Sequence, residues 1–445
     1  MSVLISAAVF IAAMITCMVA GVDTFFALLL GIVLFSVIGL RRGRKIAELW
    51  RMMWREGRKL IPLLLIFVFI GAITALWRSS GTITFFIYYG IQIIRPGIFL
   101  LVAFLLTCLL SYALGTSFGV TGTVGIILMA LARSGGVDPM ITAGAVLSGA
   151  YFGDRCSPAS SSGLLVAAVT ETKQYDNIRN MHRTGWIPLL VSAGIYGVLA
   201  ATHPIRAVEE DLLTTLTDSF SISLWTVVPA VLMLVLPMVK VSISATLIVS
   251  CTAAFAVSVW VQGMTVGETL AAAVLGYAPR SEALTEILSG GGVLNMMSTS
   301  FAVMATGLFA GLLSGLGVLD GMKGAAEKLA RRWGLFPTTV LLSLLAGMIF
   351  CNQSIIIMMV YPLMRDVYQS IGHGKEELAL DVENSGIVMA ALIPWNIAGA
   401  VPLQMLDAGP AAIPYMVLLY MIPICYGLTK KWLTKPLFSR KGDAV

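Results

Sequence analysis

The sequence GTSFG at residues 115–119 matches G-x-S-x-G, the pattern that surrounds the nucleophile of many serine hydrolases. A serine nucleophile needs a nearby base, usually a histidine. The three histidines, His182, His203 and His373, all fall in predicted loops outside the long apolar segments. The metalloprotease sequence H-E-x-x-H is absent as well. We therefore predict that the protein is not an enzyme and has no catalytic residue, and that Ser117 has another role.

A second polar stretch, SGAYFGDRCSPASSSGLLVAAV at residues 148–169, lies between apolar flanks. Pro158 removes a backbone donor and breaks the helix that the flanks predict. A broken helix buried in protein offers carbonyl groups to a cation and amide groups to an anion. Asp154 precedes the break, and a carboxylate in such a segment is costly and usually functional. We predict Asp154 as an ion ligand, and as the metal ligand if the ion is Na⁺.

The serines that follow Asp154 supply further oxygen ligands, and Ser157, Ser160 and Ser161 are candidates. Two alternatives stay open at this stage. Asp154 could form a structural ion pair, although the adjacent Arg155 is badly placed for it, because neighbouring residues on a helix point in different directions. The serines could also be small residues that let helices approach closely.

A matching stretch, DVENSGIVMAALIPWNIAGAVPLQML at residues 381–406, is broken within I-P-W-N. Asn396 follows this break, and an amide inside an apolar span could hold a substrate or an ion. Glu383, Asn384 and Ser385 at the start of the stretch are further candidates. Glu383 could instead be an acid at the membrane boundary, stabilised by the dipole of the helix that it opens.

Composition indicates what positions these residues. The chain has 445 residues, of which 58% are hydrophobic and 12% charged, and its mean hydropathy is +0.91. A soluble domain is about 25% charged. Apolar runs of about 18–20 residues, long enough to cross a bilayer, recur from end to end. We predict an all-α polytopic protein of the cell membrane rather than a β-barrel, which would show short alternating segments.

Thirteen membrane segments are predicted from the apolar runs. Their approximate bounds are 3–20, 22–40, 60–77, 81–94, 97–114, 138–170 (interrupted), 185–201, 222–238, 241–261, 292–317, 336–350, 384–406 (interrupted) and 410–428. No cleavable signal peptide is expected, because Met1–Ala20 lacks a positively charged start. The six cysteines lie far apart without a C-x-x-C pair, so neither disulfides nor a zinc site is predicted.

Basic segments orient the chain. The loop at residues 41–59 is the most basic, and we place it in the cytoplasm together with both termini. The acid-leaning loop 203–213 belongs outside. These loops account for the net charge of +6, so no nucleic-acid partner is predicted. The loop 41–59 is either an interfacial helix with Trp50, Met53 and Trp54 at the headgroups or a solvated connector.

Polar residues and prolines recur at similar distances in two halves of the chain. Ser117 precedes Pro158 by almost the same stretch of chain as Ser354 precedes Pro394. The span before the first pair leaves a basic loop, whereas the span before the second enters one. This matched spacing of polar residues and prolines, together with the opposite directions of membrane insertion, favours two inverted-topology repeats.

Two glycine-rich or polar stretches, 116–133 and 351–364, could be re-entrant hairpins. Their tips supply further candidate ligands, namely Thr116, Ser117, Asn352 and Gln353. The chain is then divided into an N-terminal hairpin with its basic loop (1–59), a first repeat (60–201), linking helices (202–291), a second repeat (292–428) and a cytoplasmic tail (429–445). The segments 1–40 and 222–261 lie outside the repeats and could form a scaffold or a homodimer surface.

The segments SGAYFGDRCSP and ENSGIVMAALIPWN resemble signatures of the NhaC family of sodium/proton antiporters, within the ion-transporter superfamily. LLLIFVFIGAITALW, YYG, GGGVLNMMSTS and GVLDGM are weaker matches, and the resemblance covers residues 60–405. It implies two inverted repeats, each with a re-entrant hairpin and a broken helix, that move by alternating access. It also implies that Asp154, Ser157, Glu383 and Asn396 lie near the ion and substrate sites.

The sequence departs from this family pattern at two acids. After S-P the family usually continues with a serine, an aspartate and threonines, whereas here Ser160, Ser161 and Ser162 follow. In the second repeat the family usually has an aspartate before S-G, whereas this sequence has Asn384. Because bare Na⁺ favours charged oxygens, we predict a small organic solute as cargo, exchanged for or coupled to Na⁺ or H⁺. A plain Na⁺/H⁺ antiporter and a channel are the alternatives, and no bound cofactor is predicted.

Overall fold

The computed structural model of the protein describes residues 3–93, 96–204, 210–239, 241–318 and 323–433. Within these ranges the chain is helical, apart from turns, loops and an isolated bridge between Tyr277 and Gly290. The first helices are α1 (Val3–Val19), α2 (Phe25–Arg41), α3 (Ile46–Gly57), α4 (Ile61–Ser79), α5 (Thr82–Ile93), α6 (Phe99–Leu114), α7 (Ser117–Val120), α8 (Ile126–Ser134), α9 (Pro139–Cys156), α10 (Ser161–Thr170), α11 (Gln174–Thr202) and α12 (Glu210–Ser219).

The remaining helices follow in chain order. They are α13 (Leu224–Met238), α14 (Ile243–Trp260), α15 (Val266–Leu275), α16 (Thr285–Leu288), α17 (Met297–Gly315), α18 (Lys323–Trp333), α19 (Leu335–Phe350), α20 (Gln353–Ser370), α21 (Lys375–Glu383), α22 (Gly386–Met389), α23 (Ile397–Met405) and α24 (Val417–Leu433). Short 3₁₀ turns connect several of them, and a π turn at Thr121–Gly125 joins α7 to α8.

Five helical stretches in the described ranges are long and apolar enough to cross a membrane. A sixth span results if Lys375–Leu392 and Ile397–Met405, which meet at an angle of 51°, are taken as one bent helix. Shorter apolar helices of 10–17 residues accompany them. The protein is therefore a multi-pass helical membrane protein, as the composition predicts.

The largest difference from the predicted elements lies at the start of α11. His182 was expected in a loop, but it lies in α11, which begins at Gln174, so this prediction was wrong. Asp176 in the first turn stabilises this helix start through the helix dipole. At the other end of the chain α24 continues to Leu433, into the predicted tail. The tail beyond residue 433 and part of the acid-leaning loop, 205–209, lie outside the described residues.

The basic loop 41–59 contains the helix α3, which packs along α17. Gly311 and Gly315 permit this close approach, because a Cβ on Gly311 would lie 2.5 Å from the Met52 carbonyl oxygen. Trp50 and Trp54 face outward with stacked rings. The solvated-connector alternative is therefore wrong, and the interfacial location stays a prediction.

Several helices recur along the chain at one constant offset in residue number. Ile61–Ser79 and Met297–Gly315 have the same length, and the difference between their first residues defines this offset. Phe99–Leu114 and Leu335–Phe350 also match in length and show the same offset. The helices α9 and α21 begin at Pro139 and Lys375, again at the same offset. The two halves of the chain thus share one order and spacing of helices.

The two halves also pack in a reciprocal way. The helix α4 of the first half packs against α14 and α15, whereas α17 of the second half packs against α2 and α3. The helices α11 and α24, which close the two halves, pack against each other. The segment 1–40, expected outside the repeats, therefore packs against the second half, and the segment 222–261 packs against the first half. Their use as a dimer surface stays a prediction.

Candidate functional site

Two tight turns, one in each half, have nearly the same backbone. Gly115 (φ 69°, ψ 25°) follows the last residue of α6, and Cys351 (φ 54°, ψ 20°) follows the last residue of α19. The next residues, Thr116 (φ −146°, ψ 127°) and Asn352 (φ −144°, ψ 124°), are extended and cap the following helices. The positive φ and a close approach favour glycine at 115, because a Cβ there would lie 2.5 Å from the carbonyl carbon of Ala159.

The two broken helices also correspond. After α9 the chain runs through Ser157-Pro158-Ala159 to Ser160, which caps α10 by accepting a hydrogen bond from Gly163 N at 3.0 Å. In the second half, after α22 and a 3₁₀ turn, the chain runs through Ile393-Pro394-Trp395 to Asn396. Asn396 caps α23 by accepting a hydrogen bond from Ala398 N at 3.1 Å. Pro158 and Pro394 are related by the same constant offset as the helices. In this register Ser117 corresponds to Gln353, so its predicted pairing with Ser354 was wrong by one position.

Each break is tied to the turn of its own half. The Ser157 hydroxyl donates to the Tyr112 carbonyl oxygen at 2.6 Å. In the second half the Trp395 indole Nε1 donates to the Met348 carbonyl oxygen at 2.9 Å. Turn and break thus form one unit in each half, and different side chains make the equivalent contact.

Asp154 lies where these two units meet, and its side chain is buried. Ser162 Oγ lies 3.2 Å and Gln353 Nε2 lies 3.3 Å from Asp154 Oδ2. Ser162 and Gln353 also contact each other, with 3.2 Å between the hydroxyl and Oε1 of the amide. The backbone of Ser117 approaches the same carboxylate. The first-half acid is therefore held by a second-half amide at the tip of the other turn.

This arrangement gives Asp154 oxygen neighbours that suit a cation. Ser162 Oγ and Gln353 Oε1 lie beside the carboxylate, and Gln353 is itself fixed by donating to the Ile387 carbonyl oxygen at 2.9 Å. Within the described ranges no group of three His, Cys, Asp or Glu side chains is arranged to hold a metal ion. A cation here would therefore be held by one charged oxygen and several neutral ones, as suits Na⁺ more than a transition metal.

Most other predicted ligands use their side chains to hold the backbone. The side chains of Thr116, Asn352, Ser160 and Asn396 cap helices, and Ser160 also bonds the Asp154 carbonyl oxygen. The Ser157 hydroxyl bonds Tyr112, and the Ser385 hydroxyl donates to the Asp381 carbonyl oxygen at 2.7 Å. Ser161 is exposed. These residues shape the site, whereas Ser162, which was not among the candidates, contacts the carboxylate directly.

Arg155 points away from Asp154, so no ion pair joins these neighbours. Its fully buried guanidinium donates through Nη2 to Asn384 Oδ1 at 2.5 Å, to the Met181 carbonyl oxygen at 3.2 Å and to Thr184 Oγ1 at 3.3 Å. Glu383 is fully buried beside this group. No pattern in the sequence indicates the contact between Arg155 and Asn384, which are 229 residues apart.

Sequence reasoning also missed a buried carboxylate at Asp381, on the helix that carries Glu383. Tyr368 donates to it at 2.5 Å and Tyr426 at 2.7 Å, and Lys430 forms an ion pair with it. Lys430 also pairs with Glu377 at 2.9 Å. Because these partners satisfy the charge, Asp381 anchors α21 to α20 and α24.

A profile of the Na⁺/H⁺ antiporter family matches residues 1–199 and 164–429. The chain is 29% identical to the malate-2H⁺/Na⁺-lactate antiporter of Bacillus subtilis, over 90% of this chain and 88% of that protein. It is 27% identical to the Na⁺/H⁺ antiporter NhaC of Alkalihalophilus pseudofirmus, over 78% and 76%. It is 26% identical to the arginine/ornithine antiporter ArcD of Halobacterium salinarum, over 73% and 69%. The chain therefore belongs to the Na⁺/H⁺ antiporter family.

Proposed function

We propose that the protein is a secondary active antiporter that exchanges a small organic solute for Na⁺ or H⁺, with Asp154 as the coupling residue. The observation that carries the proposal is the position of this acid. It is a buried carboxylate at the junction of two turn-and-break units, and it is bonded by a side chain from each half of the chain. A buried charge at membrane depth is costly and is retained for function.

Competition for one carboxylate is sufficient for exchange. Burial favours the neutral, protonated form of Asp154, whereas a bound cation favours the ionised form. A proton and Na⁺ would therefore replace each other on the same oxygens. Ser162 and Gln353 would turn their oxygens toward the cation when it binds, and would return to hydrogen bonding when it leaves.

We further propose that the two halves are inverted repeats whose relative motion gives alternating access. The constant spacing of their helices and the shared backbone of their turns and breaks support this. Gln353 and Asp154 belong to different halves, so a motion between the halves would separate them. Occupancy of the site and motion of the repeats would then be coupled through this contact. The basic loops support a cytoplasmic location for both termini in this arrangement.

An organic cargo is supported by the loss of acids and by the relatives. Asn384 and the serines after Pro158 stand where the family usually has aspartates. Two relatives, the malate-2H⁺/Na⁺-lactate antiporter and the arginine/ornithine antiporter, carry organic solutes by name. Plain Na⁺/H⁺ exchange is the second candidate, favoured by the similarity to NhaC proteins.

Reconstituted vesicles containing a pH dye distinguish these functions. Na⁺, Li⁺ or K⁺ would be added alone, and then with carboxylates, amino acids or amines enclosed in the vesicles. We expect a small pH change with Na⁺ alone and a large one with one class of enclosed solute. Rapid Na⁺/H⁺ exchange without any organic solute would contradict the organic cargo and support the second candidate. The Asp154→Asn variant serves as the uncoupled control.

A further inference from the structure

Buried polar atoms without partners are concentrated at one place outside the Asp154 contact. Among the described residues, nine buried side-chain nitrogen and oxygen atoms have no hydrogen-bond partner. Five of these nine belong to three residues, Arg155, Glu383 and Asn384. Most buried polar groups in folded proteins are paired, so such a cluster requires a specific explanation.

The first member is a guanidinium that uses one of its three nitrogens. Arg155 Nη2 makes all three hydrogen bonds of the group, whereas Nε and Nη1 make none. Gly185 gives Nη1 its room, because a Cβ on that residue would lie 2.7 Å from it. A buried guanidinium with unbonded nitrogens can still donate to an anion, and its geometry matches that of a carboxylate.

The second member is a carboxylate with two free acceptors. Neither oxygen of Glu383 has a hydrogen-bond partner, although the group is fully buried. The amide of Asn177 donates to Thr172 Oγ1 at 2.8 Å and also approaches the Glu383 carboxylate. Arg155 acts on Glu383 electrostatically without forming an ion pair with it. Asn384 adds one free donor, its Nδ2, beside both groups.

We propose that Arg155, Glu383 and Asn384 bind the organic solute, and that this solute is a small carboxylate with a hydroxyl or ammonium group next to the carboxylate. Arg155 and Asn384 donate to its carboxylate oxygens, and Glu383 accepts from its hydroxyl or ammonium group. A ligand of this kind satisfies the donors and the acceptors together, which neither Na⁺ nor a simple fatty acid does. This inference rests on the organic cargo of the proposed function.

The ion site and the solute site use adjacent residues near the end of α9, just before its break. Asp154 faces Gln353 at the tip of the second turn. Arg155 faces α11 and Asn384, which lies between α21 and α22. Both sites thus join the first half of the chain to the second. A solute at Arg155 and an ion at Asp154 would act on the same interface from adjacent residues.

Binding to the purified protein tests the assignment with four three-carbon probes. L-lactate and L-alanine carry both groups, propionate lacks the donor, and lactamide lacks the carboxylate. We expect lactate or alanine to bind at least tenfold more tightly than propionate and lactamide. Glu383→Gln should reduce the preference over propionate at least tenfold, and Arg155→Gln should remove the preference over lactamide.

Arg78→Gln is the matched control, because Arg78 is the other buried arginine with a free Nε among the described residues, and it lies with Asp407 instead. It should keep both preferences. Equal binding of all four probes, no binding of any, or full discrimination in Glu383→Gln would overturn the assignment. If Arg155→Gln does not fold, Glu383→Gln decides alone. Should amines or other solutes drive exchange in the vesicles while these probes do not bind, the solute site is wrong and the proposed antiport stands.

Discussion

The two broken helices share a backbone but not a chemistry. Pro158 and Pro394 follow half-helices related by the constant offset, and each break is followed by a capping Ser or Asn. The first break is preceded by Asp154 and Arg155, whereas the residues at the same offset in the second half are alanines, Ala390 and Ala391. The same backbone arrangement thus occurs at both breaks, whereas charged residues directly precede only the first. The second half instead supplies a neutral amide, Gln353, to the acid of the first.

Removal of the single acid should have the largest effect. Asp154→Asn keeps the size and the hydrogen bonds of the side chain but cannot exchange a proton for a cation. We expect coupled flux in vesicles to fall at least about 100-fold, the loss typical of an essential proton-exchanging group, with normal membrane insertion. Adding Ala390→Asp should not restore the flux, because the side chains of Ser162 and Gln353 hold the carboxylate at the first break. Rescue by the second substitution would show that the halves are chemically equivalent.

Loss of the amide from the second half should have the next largest effect. Gln353→Ala removes a donor to Asp154 and a contact to the Ile387 carbonyl oxygen. We expect roughly tenfold slower coupled flux, because a hydrogen bond to a charged group contributes about 1.5–3 kcal/mol. Ser354→Ala, at the neighbouring exposed residue, is the control and should transport normally. Equal rates in the two variants would remove Gln353 from the site.

The two turns allow a test of the shared backbone by stability. Gly115→Ala places a side chain at positive φ and against the Ala159 backbone, and we expect a loss of about 3 kcal/mol. Cys351→Ala keeps a side chain that this turn already accommodates, so it should cost less than about 1 kcal/mol. Thermal unfolding of both variants in detergent measures the difference. Similar losses would mean that the turns are packed alike.

The residues that follow α10 and α23 provide the smallest contrast between the two halves. Asp407 and Glu171 both have a positive φ, of 48° and 54°, and are related by the same offset. Asp407 pairs with Arg78 at 3.3 Å and with Arg133 at 3.7 Å, whereas Glu171 offers its backbone carbonyl oxygen to Lys375. Asp407→Asn should cost about 1 kcal/mol, since the carboxylate is partly exposed.

Glu171→Gln is the companion variant, and its unfolding midpoint should match that of the wild type because the backbone contact to Lys375 is unchanged. Both midpoints are read from thermal unfolding at low and at high salt, since salt should weaken the contribution of Asp407. A larger loss in Glu171→Gln than in Asp407→Asn would reverse the contrast.

Hydropathy and proline position were sufficient to predict an all-helical membrane protein and the positions of its two broken helices. The apolar runs predicted spans close to the helices, and Pro158 and Pro394 marked both breaks, because lipid and proline constrain the backbone directly. Asp154 was predicted from the cost of a carboxylate in such a segment. The matched spacing of polar residues and prolines in the two halves was also recognised from the sequence. Ser117 was paired with Ser354, however, whereas in the structure it corresponds to Gln353.

The ligands were harder to predict than the frame. Thr116, Ser160, Asn352 and Asn396 were taken for ligands, but Ser, Thr and Asn before a helix are also the preferred capping residues. The capping role could have been predicted from that preference, and a ligand role for these residues stays a prediction. The contact of Arg155 with Asn384 is different, because the direction of a side chain at a break depends on the packing of distant helices. No local pattern carries that information.

The most direct test of the central claim is the binding of radioactive Na⁺ to the purified protein at several pH values. If Na⁺ and a proton compete for Asp154, lowering the pH should weaken Na⁺ binding in the wild type. Each bound Na⁺ should also release a proton to the solution, and Asp154→Asn should lose both the binding and the release. Na⁺ binding in Asp154→Asn with the affinity of the wild type, or binding that does not change with pH, would contradict the account.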